Sequence, residues 1–217
     1  MKVEELAMFP LEMVAFPGEL IPLHIFEDRY QELIRDCEND QMRFGIPTYI
    51  NGKMMYGTEV KLIQIVKRYD SGASDIICEG LRVFKLLDFY NTLGEKLYAG
   101  GTVSYLPNYK EASSELRATF IKLVKQFYKE LGYQPVVNDY NEVDSYTLSH
   151  KIGLTLDEEY KLLYMTSETE RYTFLISHLR NIIDTVMAVN RTKDIIKLNG
   201  HFKNFDALDF NEYKLDD

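Results

Sequence analysis

The chain carries four histidines, His24, His150, His178 and His201, and two cysteines, Cys37 and Cys78, which could do acid–base, nucleophilic or metal chemistry. A zinc site of the His-Glu-x-x-His type needs two imidazoles one helical turn apart. His150 and His178 instead lie on separate predicted helices, His201 opens the tail, and His24 sits in an apolar run where a packed, hydrogen-bonded core histidine is expected. The cysteines lack Cys-x-x-Cys spacing and fall in different predicted elements, so both read as buried apolar residues of a protein in a reducing cytoplasm. A phosphate-cradling loop needs Gly-x-x-x-x-Gly-Lys-Ser/Thr, and Asn51-Gly52-Lys53-Met54 has neither the spacing nor the hydroxyl that would meet magnesium. No Gly-x-Ser-x-Gly elbow occurs either. Glu27, Asp28 and Arg29 open a predicted helix, where acids complement the dipole. Arg29 is expected in a buried ion pair, with a partner's carboxylate as its alternative contact. The expectation is a non-enzyme with no catalytic, metal or cofactor-binding residues and no cofactor; the partner-binding residues are left unknown.

Composition narrows the partners. A net charge of −9 repels phosphate backbones and anionic lipid, and no block of clustered lysine and arginine opposes that field. Nothing approaches the roughly 20 apolar residues that span a bilayer. The opening Met1-Lys2-Val3-Glu4-Glu5 has two acids where a signal peptide needs a basic stretch, so a cytoplasmic location is expected. Tyrosine is abundant, 16 residues against no tryptophan. Tyr49, Tyr56, Tyr69, Tyr90, Tyr98 and Tyr105 recur near predicted strand ends, which suits either a protein interface or ordinary half-exposed strands.

The elements that would position these groups fall into two halves. From Phe9 to about Tyr105 the hydrophobic period is that of strands, including runs at 59–67, 75–79, 82–87 and 99–105. Asn51-Gly52 is a hairpin signal, since both residues tolerate positive φ. Many short strands with regular turns predict a closed or nearly closed barrel. One helix interrupts it: Tyr30, Leu33, Ile34 and Cys37 share a face at helical spacing, and this helix would plug one end of the barrel. From Glu111 the period becomes helical. A helix capped by Ser113 or Ser114 presents Leu116, Phe120, Leu123, Phe127 and Leu131 and stops at Gly132. A short helix is expected over 145–152. Thr155 with Glu158, and Ser167 with Glu170, have capping-box spacing, and the second pair starts the longest helix. The stretch 133–144 is expected to be a flexible connection, and the acidic tail from His201 to be partly disordered.

Four blocks occur in an order that resembles the Lon protease N-terminal, substrate-binding domain family, over roughly Phe9 to Met187. The first is Phe9-Pro10-Leu11, then Phe16-Pro17-Gly18, then Pro22-Leu23-His24-Ile25-Phe26-Glu27 leading into Arg29-Tyr30. The second joins Phe44-Gly45-Ile46 to Tyr56-Gly57-Thr58-Glu59, similar to the family's Val-Gly-Thr strand entry. Glu79-Gly80-Leu81-Arg82-Val83-Phe84 resembles its Gly-x-Arg-Phe signature, and Leu154-Thr155-Leu156, Lys161-Leu162-Leu163 and Glu170-Arg171-Tyr172 resemble its helical patterns. The resemblance, to a freestanding bacterial member of this peptidase S16-related family, implies an α+β fold. A PUA-like pseudo-β-barrel subdomain over 1–108 would carry one inserted helix, followed by an α-helical bundle over 109–200 and the tail 201–217. It implies a non-catalytic protein-recognition module that binds client polypeptides, or a protease or chaperone partner, in a groove between barrel and bundle. The alternatives are a PUA-like RNA-binding module, which the acidic balance opposes, and a small-molecule enzyme using the barrel mouth. The oligomeric state, the client and the tail's role are not fixed by these residues.

Overall fold

A computed structural model describes residues 3–133, 140 and 143–203. Six strands form one sheet: β1 (Val3–Met8), β2 (Leu20–Ile25), β3 (Arg43–Pro47), β4 (Tyr56–Arg68), β5 (Ser74–Tyr90) and β6 (Ala99–Tyr105). Their order is β2-β5-β4-β3-β1-β6, with a further pairing of β5 to β6. Only β1 and β3 run parallel; the other pairs are antiparallel. The closed barrel expected above is therefore corrected: the sheet is partly ring-like and not a barrel. The cause is the length of β5. Its stretch from Phe84 to Tyr90 reaches β6 and closes the ring, while its stretch from Ser74 to Glu79 splays away and adds β2 outside it. Period-2 alternation shows clearly at the start of β5, where Ser74, Ile76, Cys78 and Gly80 are buried and the residues between them are not.

Helix α1 (Asp28–Asp40) buries Tyr30, Leu33, Ile34 and Cys37, the stripe expected from spacing. Instead of plugging a barrel end, it covers a sheet face, packing with Ala7, Ile21, Ile25, Phe44, Val60 and Ile76. Each such aliphatic side chain removed from water contributes on the order of 1.5–3 kcal/mol. A smaller cluster of Leu6, Met8, Phe84, Ala99 and Val103 fills the ring-like part.

The helical half contains α2 (Ser114–Leu131), α3 (Leu156–Leu163) and α4 (Glu168–Lys203). Ser113 caps α2 by accepting from the Leu116 amide, and Gly132 ends it with φ 73°. Thr155 and Glu158 form the expected capping box on α3. The second quartet, Ser167 to Glu170, stands where expected, with α4 beginning at Glu168 directly after Ser167. The helix expected over 145–152 is corrected to turns and one 3-10 turn, Ser149–Lys151. Side chains take the backbone groups there: Asp144 Oδ1 accepts from the Tyr146 and Thr147 amides, and Ser149 Oγ donates to the Ser145 carbonyl. Among the residues of the expected connection, 134–139, 141 and 142 lie outside those described. In the tail, 201–203 continue α4 and 204–217 lie outside.

Candidate functional site: the seam between sheet and helices

The two halves are joined through the loop after β1. Extended backbone at Val14-Ala15-Phe16 sends alternate side chains to opposite sides. Val14 and Phe16 enter the helical core with Phe120, Leu148 and Leu179, whereas Ala15 belongs to the sheet core. Phe16 stacks on Tyr146 with ring centroids 5.1 Å apart. Main-chain bonds pin the loop to β5: the Gly18 amide donates to Gly80 O at 2.9 Å, and the Gly80 amide donates to Glu19 O at 2.9 Å. Thr58 Oγ1 donates to Ala15 O from β4. A Cβ at residue 80 would lie 2.1 Å from Phe16 O, so the contact requires glycine there.

Across the seam sits Arg171, only 1% exposed. Its Nε donates to Ser145 Oγ and Glu168 Oε2, both at 2.9 Å. Nη1 donates to Met165 O at 2.8 Å and Tyr146 Oη at 3.2 Å. Nη2 donates to Asn108 Oδ1 at 2.8 Å and Glu168 Oε2 at 2.7 Å. A guanidinium has five N–H donors, and all are engaged. It is therefore a keystone between the sheet-to-helix connection and α4, with no donor spare for an incoming anion. Burial pushes the Glu168 carboxyl up, but hydrogen bonds from Ser145 and Arg171 outweigh it and hold the group below its usual range. Burial pushes the Tyr146 hydroxyl up to about 12. Neither group exchanges a proton near neutrality.

A second tie crosses the seam at its rim. His150 Nδ1 lies 2.7 Å from Glu159 Oε1, and Nε2 lies 3.2 Å from Glu19 Oε2. Burial opposes charging of the imidazole, yet the bonds to Glu159 and Glu19 prevail and raise it to about 9. His150 is thus a cation at neutral pH, clamped between one carboxylate from each half.

Beside the Arg171 network a cleft of about 230 Å³ opens, walled by Pro17, Leu81, Val83, Leu106, Leu163 and Met165, with Arg82, Asn108 and Arg171 as its polar lining. A dry apolar cavity of roughly 150 Å³ admits benzene. Small-molecule sites run from about 300 Å³ upward. The cleft therefore has room for one large apolar side chain and is small for a cofactor. Among the described residues, no group of three or more His, Cys, Asp or Glu could hold a metal ion, and no helix is long and apolar enough to cross a membrane.

Several expected placements change. His24 is exposed: in β2 the inward positions are Ile21, Leu23 and Ile25, so alternation turns His24 outward, where Nδ1 meets Asp75 Oδ1 at 2.6 Å. The ion pair expected for Arg29 forms with Glu27 at 2.7 Å but in solvent, both side chains being about half exposed (50% and 41%). Cys37 and Cys78 are free and buried, and burial pushes both thiols up to about 12. Of the tyrosines, Tyr98 is buried and donates to Asp36, Tyr105 donates to Glu59, and Tyr90 meets Thr102. Tyr56 packs on Tyr164 at 5.0 Å and its amide donates to the Tyr160 hydroxyl, so it serves the internal seam. Tyr69 donates to Asp75, while Tyr49 is 41% exposed.

The pattern of the ATP-dependent protease La (LON) substrate-binding domain matches residues 5–181. The fold is similar to a Lon N-terminal domain protein from Xanthomonas campestris, with TM-score 0.59 and 21% identity over 80% of this chain and 98% of that one. It is also similar to the N-terminal domain of Mycobacterium avium complex Lon protease, with TM-score 0.65 and 17% identity over 82% of this chain and 98% of that one. No curated protein matches the chain. The matched region is a non-catalytic substrate-binding domain and includes no ATPase or peptidase domain. The pinned loop, the keystone arginine and the helical half as far as residue 181 lie inside it, and on that extent of agreement the chain belongs to the Lon substrate-binding domain family.

Proposed function

We propose that this chain is a protein-recognition module that holds client polypeptides by taking one large apolar side chain into the seam cleft. The observation that carries the reading is the cleft itself: largely apolar walls, room for one side chain, and two lining arginines already engaged, Arg171 in its own network and Arg82 with Glu59. Such a site supplies burial energy and shape selection without acid–base chemistry. Family membership supports a polypeptide as occupant. Buried free thiols at Cys37 and Cys78 support action in a reducing cytoplasm. The ring-like part of the sheet supports a PUA-like description of residues 1–108, with the helices of 109–200 as the second wall of the groove.

The test is fluorescence anisotropy with a labelled, reduced and carboxymethylated lactalbumin, which stays unfolded. Wild-type protein is expected to bind it, and Leu81→Trp, which fills the cleft, to bind at least about tenfold more weakly. Circular dichroism would verify that the variant keeps its fold. Absence of wild-type binding, or unchanged affinity in a folded Leu81→Trp protein, overturns the reading.

A further inference from the structure

Strand β4 outruns its neighbour. Its pairing with β3 ends at Arg43↔Lys61, while its pairing with β5 continues to Arg68↔Ser74. From Leu62 to Arg68 no strand among the described residues pairs with the second edge of β4. Unpaired main-chain N–H and C=O groups along such an edge are a template for another strand. At about 3.4 Å per residue this edge is some 20 Å long, the length of an average strand.

Natural edges are blunted by proline, charge or bulges. A second open edge, β2, carries Pro22 in its middle. β4 has no proline; it does carry Lys67 and Arg68, and its two bulges in this stretch, between Leu62 and Gln64 and between Ile65 and Lys67, fall in its ladder with β5 and accompany apolar side chains in solvent. Ile63 is 48% exposed and Val66 56% exposed. Beside the edge runs a groove of about 840 Å³, bounded on its far side by Cys37, Glu38, Gln41 and Met42 at the end of α1. Arg43, Lys61, Lys67 and Arg68 line it against the single acid Glu38. Arg68 is paired with Glu38 at 2.6 Å, Lys61 with Glu79 at 2.7 Å, and Arg43 leans on Glu59 at 3.7 Å. Lys67 lies over the Tyr69 ring, 4.4 Å from its centroid. Three of these four cations are thus balanced by acids of the chain, and Lys67, exposed over its ring, is the one that offers charge to an incoming segment.

We infer that the Leu62–Arg68 edge of β4 accepts an extended polypeptide as an added β-strand, selecting segments that alternate β-branched residues and carry an acidic residue near Lys67. Main-chain hydrogen bonds give the affinity, the groove takes every second side chain, and Lys67 sets the register. The inference rests on the protein-recognition reading above but uses a different surface, so the two fail separately.

The test uses a short fluorescein-labelled peptide that alternates valine and threonine and ends in a glutamate pair. Wild-type protein is expected to bind it. Affinity should fall at least about tenfold when alternate peptide amides are N-methylated, which removes strand pairing and leaves the side chains in place. Val66→Pro should have the same effect: residue 66 is skipped in the β4–β5 register, so proline there blocks the edge at small cost to that pairing. If Val66→Pro unfolds, Ile63→Lys replaces it with the same expected loss. Lys67→Glu should weaken binding about threefold and flatten its salt dependence. Leu81→Trp should leave this peptide's affinity unchanged. Equal binding of the N-methylated peptide overturns the inference, as does loss on Leu81→Trp but not on Val66→Pro. Sedimentation showing dimers that Val66→Pro dissolves, with no peptide bound, would assign the edge to a second copy of the chain and overturn it too.

Discussion

The sheet half and the helical half are built on different principles. The sheet carries its own ladder and its own core with α1 as its lid, and the carboxylate it buries, Glu59, is met by Arg82 and Tyr105 from neighbouring strands. The helical half borrows Val14, Phe16 and Val83 from the sheet half and is organised around a buried charge pair, Arg171 with Glu168. A self-sufficient region thus supports a dependent one, and the cleft proposed for binding lies along the line of dependence. Recognition surfaces placed there can loosen without unfolding the scaffold.

The strongest way to break this asymmetry is Arg171→Met. It strands the buried Glu168 carboxylate and should destabilise the helical half by roughly 3–5 kcal/mol. Hydrogen exchange should show lost protection in α2 and α4 with β4 and β5 still protected, and the double variant Arg171→Met/Glu168→Leu should recover most of the loss. Uniform loss of protection across both halves would show that they unfold as one unit.

Phe16→Ala asks the same question from the sheet side. Deleting a fully buried aromatic costs about 3 kcal/mol or more in typical cores. Because Phe16 lies in the helical cluster, urea unfolding followed in α4 should shift before unfolding followed in β5.

The rim tie sharpens the comparison least, and it adds a pH signature. The folded His150 imidazole is raised to about 9 from an ordinary 6.5. Its contribution is therefore fully present below pH 6.5 and is lost as pH rises through about 9. Melting temperature should fall across that interval in wild type. In His150→Gln the fall should be shallower, and equal slopes would show that the tie carries no stability.

Much of this arrangement was legible residue by residue. The stripe of Tyr30, Leu33, Ile34 and Cys37, the Ser113 cap and the Thr155–Glu158 box depend on neighbours within two turns, and all three form as spacing predicts. Closure of the sheet was not legible, because it depends on how far β5 extends past β4 to reach β6, a property of long-range pairing. His24 leaves the core that its apolar neighbours suggest because strand alternation separates it from Leu23 and Ile25. The keystone does have a local signal: Arg171 continues the apolar stripe through Leu175 and Leu179, and a charge in such a row implies a buried partner. The cleft itself needs residues 17, 81, 106 and 163 brought together, which no local pattern encodes.

The alternation at Val14-Ala15-Phe16 has an evolutionary consequence. A single inserted or deleted residue upstream would swap which side chain each core receives, leaving a vacancy in one and crowding the other. Gene fusions that cut the chain near Pro107 would likewise export the helices with an empty aromatic socket. The helical half therefore travels between proteins only together with its sheet.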